Sequence, residues 1–347
     1  MNLERLPFGK QAIAPLKRKA VVLSEDQLVK IEHSGANELP VVFRAQVEGI
    51  NAAEWIKARR EAIRNCLKIH GGILFRGFDV KGCEGFGEFV KSCSPELLEY
   101  KERSSPRTQI GGNIYTSTDY PSDQSIFLHN ENSYQKQFPL RIYFFGETPA
   151  LEGGETPIAD VRRVYAEIDE SVRDAFAKKG VMYVRNFDGR VGLSWQSVFQ
   201  TEDRASVEKY CQEAGISCEW LGGGRLRTRQ VRPAVATHPE TGDAVWFNHA
   251  TFFHVTTLPA QVREALLRDY AYEDLPNNTF YGDGRSIEPP VMDALRTAYE
   301  KHTVRFPWQK NDILMLDNML VAHGRAPFKG PRKVLVGMAE PHSLSGL

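Results

Sequence analysis

The stretch LRIYFFGE, residues 140–147, is almost unbroken in aliphatic and aromatic side chains. A run of that length and composition reads as a buried strand. Later in the chain DILMLDN (312–318), LVAHGR (320–325) and RKVLVGMAE (332–340) read the same way, as do ILFRGF (73–78), TPIAD (156–160) and VMYVRNF (181–187). RQVRPAVATHPETGDAVWFN (229–248) reads as two strands joined by a Pro-Glu-Thr-Gly-Asp turn. Helical spacing is found elsewhere. Trp55, Ile56, Ile63, Cys66 and Leu67 recur at helical intervals until Gly71-Gly72 ends the pattern. Residues 84–93 and 161–180, and roughly 259–273 and 289–301, carry further helices. Many short strands, with helices at the start and in insertions, exclude a repeated βαβ unit. They imply a mainly β chain with helical insertions: a double-stranded β-helix, that is a cupin-like jelly roll, with flanking helices. Residues 1–45 read as an N-terminal arm packed on a single domain at 46–347, with a long insert at about 160–310.

Charge excludes several functions. The chain has 44 basic and 44 acidic side chains, so nothing favours nucleic acid or an anionic membrane as partner. No apolar run is long enough to span a bilayer. The N-terminus lacks the apolar core of a signal peptide. Five cysteines, an odd number without a C-x-x-C pair, read as reduced thiols. The expected location is the cytoplasm.

Chemistry is concentrated in SIFLHNENSYQ, residues 125–135. In a strand, residues i and i+2 share a face, so His129 and Glu131 project together from the mouth of Ile126-Phe127-Leu128. A neutral imidazole and a carboxylate at one point suit a divalent metal. Among nine histidines, His323 is the candidate third ligand: it ends the apolar stretch MLVAHGR, and Gly324 lets the backbone turn tightly after it. Two histidines and one carboxylate form the facial set of non-haem Fe(II) oxygenases, which leaves coordination positions open. A 2-oxo acid would supply electrons to such a site and would need a fixed cation for its far carboxylate. Arginine suits that task because its planar fork matches a carboxylate. Arg332 precedes the closing strand and Arg325 is the alternative; Thr156, after the EGGE turn, offers a hydroxyl. Taken singly, each has an ordinary reading as a surface charge, a core histidine or a strand residue.

An H-x-E pair, a GG-E-T turn at 153–156 and a distal H-G-R-x-P-F…P-R element occur here in that order. The set resembles the taurine dioxygenase (TauD/TfdA-type) family of Fe(II)/2-oxoglutarate-dependent oxygenases. GGNIYTSTDYPSDQSIFLHNENSY resembles its syringomycin-cluster hydroxylase-like branch. The resemblance implies that His129, Glu131 and His323 bind Fe(II), that Thr156 and Arg332 hold 2-oxoglutarate, and that O₂ is the third reactant. The carboxylate is Glu where the taurine-type enzymes have Asp, which is similar to the clavaminate synthase-like enzymes. Related halogenases have a small residue there, so Glu131 implies hydroxylation or desaturation. The interval from His323 to Arg332 is shorter than the family's usual one, which keeps Arg325 open for the cosubstrate role.

The ligands and arginine leave the substrate to their neighbours. Ser125, Asn130, Asn132, Ser133 and Tyr134 flank the first two ligands, Trp246, Asn248 and His249 form an aromatic-polar stretch, and Arg325 follows the third ligand. Together they suit a small polar, zwitterionic or amidated molecule better than a hydrocarbon. The branch resemblance implies hydroxylation of an amino-acid-derived building block of a natural product, free or tethered to a carrier protein. Desaturation, cyclisation or epoxidation within the same family is the nearest alternative. A His₂Glu zinc hydrolase and a non-catalytic jelly-roll binding module are the more distant ones.

Overall fold

A computed structural model describes residues 25–33, 39–99, 102, 107–117 and 120–344. Much of the arm expected over 1–45, namely 1–24 and 34–38, lies outside the described residues. The largest sheet has eight strands, in the order Val29–His33, Val41–Ala45, Gly72–Arg76, Ile313–Asp317, Phe138–Thr148, Lys333–His342, Ile114–Thr116 and Gln109–Gly111. A four-stranded sheet of Thr303–Val304, Ile158–Asp160, Val321–Arg325 and Ile126–His129 completes the jelly roll.

The continuous apolar runs follow from covering both faces of the large sheet. Side chains alternate between faces along a strand. Ile142, Phe144, Leu314, Leu316, Val334 and Val336 belong to one core cluster, together with Ile158, Val321 and Ala322 of the smaller sheet. The intervening residues Tyr143, Phe145, Ile313, Met315 and Leu335 belong to a second cluster. That cluster includes Ile56, Ile63, Leu67, Phe86, Phe89 and Val90 of the helices Ala52–Lys57, Arg60–His70 and Gly82–Cys93. Helices therefore cover one face and the small sheet covers the other, so neither face tolerates polar alternation.

Local chemistry breaks two segments that the spacing reads as single helices. At residues 56–59 the Arg59 amide bonds back to the Ile56 carbonyl, and the Arg59 side chain takes the Trp55 carbonyl instead. The helix restarts at Arg60. Val161–Glu167 ends before Asp169, whose carboxylate accepts from the Ser171 amide and caps a new helix, Glu170–Lys179. Between these helices and Ile313 the chain builds a second antiparallel sheet of Ser217–Leu221, Arg225–Arg232, Val181–Phe187 and Asn277–Tyr281. The segment 229–248 is also divided differently from its sequence reading. Its first part belongs to this second sheet, and after Pro233 the short strands Val235–Thr237 and Ala244–Trp246 pair with each other. Proline has no amide hydrogen to continue the ladder. Among the described residues no helix is long and apolar enough to cross a membrane.

Truncations on opposite faces of the large sheet test this packing. Phe145→Ala should cost about 3–5 kcal/mol and Leu316→Ala about 2–5 kcal/mol in denaturant unfolding. A loss below about 1 kcal/mol at either site would mean that its face is not packed.

Candidate metal centre

The small sheet brings the candidate ligands together. Val321–Arg325 lies between Ile158–Asp160 and Ile126–His129, antiparallel to both, and His323 stands opposite His129 in the ladder. One ligand atom from each of His129, Glu131 and His323 lies within 4.8 Å of the others. His323 Nε2 is 3.5 Å from Glu131 Oε2, and the two imidazole centroids are 4.6 Å apart.

Two details differ from the sequence reading. The strand ends at His129, and Glu131 begins the turn that follows, so strand alternation does not aim its carboxylate. Asn318 does. Its Oδ1 accepts from the Glu131 amide at 2.7 Å, and its Nδ2 donates to the Glu131 carbonyl at 2.9 Å and to the Pro139 carbonyl at 2.8 Å. The Asn130 side chain closes the clamp by donating to the Asn318 carbonyl at 2.7 Å. Gly324 does not make a tight turn either; it lies inside the Val321–Arg325 strand. A Cβ there would stand 2.6 Å from the Ile126 carbonyl oxygen, beside the register shift between His323 and Arg325. Glycine is needed because two backbones meet, not because the chain reverses.

The electrostatics suit a divalent cation. His129 Nδ1 donates to the Phe127 carbonyl at 2.8 Å, which leaves the Nε2 lone pair for a metal. Burial, with His323 beside it, pushes the His129 pKa down to about 3, so the ring is neutral near pH 7. Burial alone would raise the Glu131 carboxyl, but the Arg107 guanidinium and the two imidazoles outweigh it and hold the group well below its usual range. Arg107 NH2 donates to Glu131 Oε2 at 2.8 Å, and both side chains are buried. A neutral His129 imidazole and an ionised Glu131 carboxylate thus converge with the His323 ring. This donor set fits Fe(II) and leaves positions for other ligands.

A cavity opens from these ligands. Its walls include Arg107, His129 and His323 at the ligand cluster, with Thr156, Arg325 and Arg332. Arg332 Nε donates to the Gly154 carbonyl at 2.9 Å. Gly153 and Gly154 both have positive φ, and a Cβ on Gly154 would meet the Arg332 side chain at 3.0 Å, so the Gly-Gly turn forms the seat of that arginine. Thr156 Oγ1 accepts from Trp308 Nε1 at 3.2 Å, which leaves the hydroxyl hydrogen available to donate. Burial, and Arg325 nearby, lower the Arg332 pKa to about 10. Arg325 is engaged differently: its guanidinium donates to the carbonyls of Tyr120, Pro121 and Gln124 at 2.5–2.9 Å. Those bonds hold that loop, and Arg325 lines the cavity beside Arg332.

The candidate substrate residues divide. His249 belongs to the centre: its ring lies 5.3 Å from that of His129, and its Nδ1 is hydrogen-bonded to Ser133 Oγ at 2.7 Å. Tyr134 packs on His249 but gives its hydroxyl to the Glu102 carbonyl. Asn130 and Asn248 spend their amides on backbone groups, Asn248 Nδ2 reaching the Ala234 carbonyl at 2.8 Å. Asn132 is buried with φ 56° in the turn after Glu131, a backbone role that asparagine tolerates. Trp246 is buried against Phe176, and Ser125 is exposed. Arg107, Asn318 and Trp308 were not picked out from sequence. The adjacent Asp317-Asn318 at the end of an apolar strand was the one available signal for Asn318; Arg107 and Trp308 gave none.

A family model described as taurine catabolism dioxygenase TauD, TfdA family matches residues 35–339. The dapdiamide synthesis protein DdaC of Enterobacter agglomerans is 44% identical over 279 residues, covering 80% of this chain and 85% of that protein. A clavaminate synthase-like protein of Arabidopsis thaliana is 28% identical over 82% of this chain and 86% of its own length. Among solved structures, PvcB of Pseudomonas aeruginosa superimposes with a TM-score of 0.54 at 14% identity, over 92% of this chain and 94% of that one. At that identity the likeness concerns the fold.

Gly324→Ala tests the close approach of the two ligand strands. The added methyl should cost about 1–3 kcal/mol in unfolding, as overpacking does. It should also weaken Mn(II) binding, read by titration, because it pushes His323 away from His129. Unchanged stability and metal affinity would show that the approach is not needed.

Proposed function

This chain belongs to the TauD/TfdA family of dioxygenases and is an Fe(II)- and 2-oxoglutarate-dependent enzyme, and from that premise we propose that it hydroxylates an unactivated C–H bond of a small, polar, amino-acid-derived molecule in natural-product biosynthesis. The observation that carries the chemistry is the His129–Glu131–His323 cluster opening into the cavity lined by Thr156 and Arg332. The two histidines and Glu131 would hold the iron. The bound iron, with 2-oxoglutarate and O₂, supplies the oxidising power. Arg332 and the Thr156 hydroxyl take the far carboxylate of 2-oxoglutarate, an arrangement that the Gly-Gly seat and the Trp308 hydrogen bond prepare in advance. Asn318 keeps the Glu131 backbone from shifting.

The substrate proposal draws support from two sources. His249, hydrogen-bonded to Ser133, sets a polar side chain beside His129 among the rings of Phe252, Phe253 and Tyr134. That combination suits a small molecule with both hydrogen-bonding groups and carbon chain. The relative DdaC is a dapdiamide synthesis protein, which favours an amide-type natural-product intermediate, free or carrier-bound.

Three measurements check the reading. Anaerobic addition of Fe(II) and 2-oxoglutarate should give a weak visible charge-transfer band, and His323→Ala or Glu131→Ala should abolish it and coupled turnover. Retention of normal iron affinity and activity by His323→Ala would remove the ligand set. Arg332→Ala should weaken 2-oxoglutarate binding roughly ten- to a hundredfold, the value of a hydrogen bond to a charged group. Incubation with free and carrier-bound amino-acid derivatives should yield a product heavier by one oxygen. Turnover restricted to sulfonates, aryloxyacetates or terpenoids would overturn the substrate class.

A further inference from the structure

Arg107 stands outside every motif that marks the site, just before the Gln109–Gly111 strand. Its guanidinium nevertheless donates to Glu131 Oε2 at 2.8 Å, with both side chains buried. It also lines the cavity that contains His129, His323, Thr156 and Arg332. The cavity wall therefore carries Arg332 on its Gly-Gly seat and Arg107 against the ligand cluster, with Arg325 also in it.

A guanidinium beside a metal-binding carboxylate is unusual in its sign, because it repels the cation that the carboxylate must attract. It is buried and charged, and so needs anionic partners. Once Glu131 shares its electron density with a metal, its bond to Arg107 weakens. The Glu131 Oε2 that Arg107 touches lies 3.5 Å from His323 Nε2, so the guanidinium stands at the edge of the cluster of donor atoms. A planar fork that touches one donor atom is therefore positioned to touch the next.

We propose that Arg107 is an anion clamp at the metal end of the cavity, which holds Glu131 in place and donates to the metal-chelating carboxylate of the 2-oxo acid. With Arg332 at the far end, the cavity then recognises a dianion by both of its carboxylates. This inference rests on the Fe(II)/2-oxoglutarate reading, and it assigns to Arg107 a contact with the cosubstrate as well as with a ligand.

Two probes separate the ends. 2-Oxoglutarate carries both carboxylates; 2-oxopentanoate keeps the 2-oxo acid end and lacks the far one. Their affinities are read anaerobically from the visible charge-transfer band at saturating Fe(II), and metal affinity is read separately with Mn(II) and no 2-oxo acid. Arg332→Ala should weaken 2-oxoglutarate while leaving 2-oxopentanoate unchanged. Arg107→Gln should weaken both by the same factor, about tenfold or more. Arg107→Lys keeps the charge but loses the fork, and should weaken both equally by less. If Arg107→Gln does not fold, the Arg107→Lys values decide. Unchanged affinity for both acids, with only Mn(II) binding altered, would leave Arg107 as a holder of Glu131 and overturn the clamp. Loss of 2-oxoglutarate alone would likewise overturn it, by moving Arg107 to the far end. Absence of any band in the unaltered protein would instead refute the Fe(II)/2-oxoglutarate reading itself.

Discussion

The site depends on one backbone contact, the approach of Val321–Arg325 to Ile126–His129. The ladder sets His323 opposite His129, and the missing side chain at Gly324 lets the Ile126 carbonyl come close. Two candidate ligands about 200 residues apart in sequence thereby acquire a fixed separation. The third is set by a different device. Asn318, in the turn that joins Ile313–Asp317 to the His323 strand, bonds the Glu131 amide and carbonyl. The loop leading into one ligand strand thus anchors the carboxylate that follows the other.

Such an arrangement needs a rigid platform, which the two-sided packing of the large sheet supplies. Its strands cannot slip by one residue without moving every buried side chain to the opposite face, and here both faces are buried. Asp317, at the end of a central strand, is itself held by Arg141 at 2.6 Å and by His238 at 3.0 Å. Its other oxygen caps the Met319 and Leu320 amides. Buried charges of this kind are costly unless fully partnered. Their position suggests what the cost secures, namely the geometry of the Asn318 turn.

Charge in the cavity is the complement of the expected ligands. Arg107, Arg325 and Arg332 line it, while Glu131 is the carboxylate among the metal-binding candidates. A divalent cation would add to the positive total, so a dianionic cosubstrate is the natural counterweight. The three arginines are nevertheless not equivalent. Arg325 is committed to the carbonyls of residues 120–124, Arg332 is seated by glycines, and Arg107 is joined to a ligand.

Much of this was legible in the residues themselves. Apolar runs of strand length, helices confined to the start and to insertions, and the ordered HNE, GGET and HGR elements were enough to indicate a jelly roll and to nominate His129, Glu131, His323, Thr156 and Arg332. These are local signals, carried by composition and by spacing of a few residues. What the sequence could not express were relations between distant segments. That Asn318 rather than strand alternation aims Glu131, that Gly324 serves a close approach rather than a turn, that Arg325 is spent on a loop, and that Arg107 reaches Glu131 are all tertiary facts. Each depends on which backbone lies within hydrogen-bonding distance after folding, a quantity that no short window of sequence encodes.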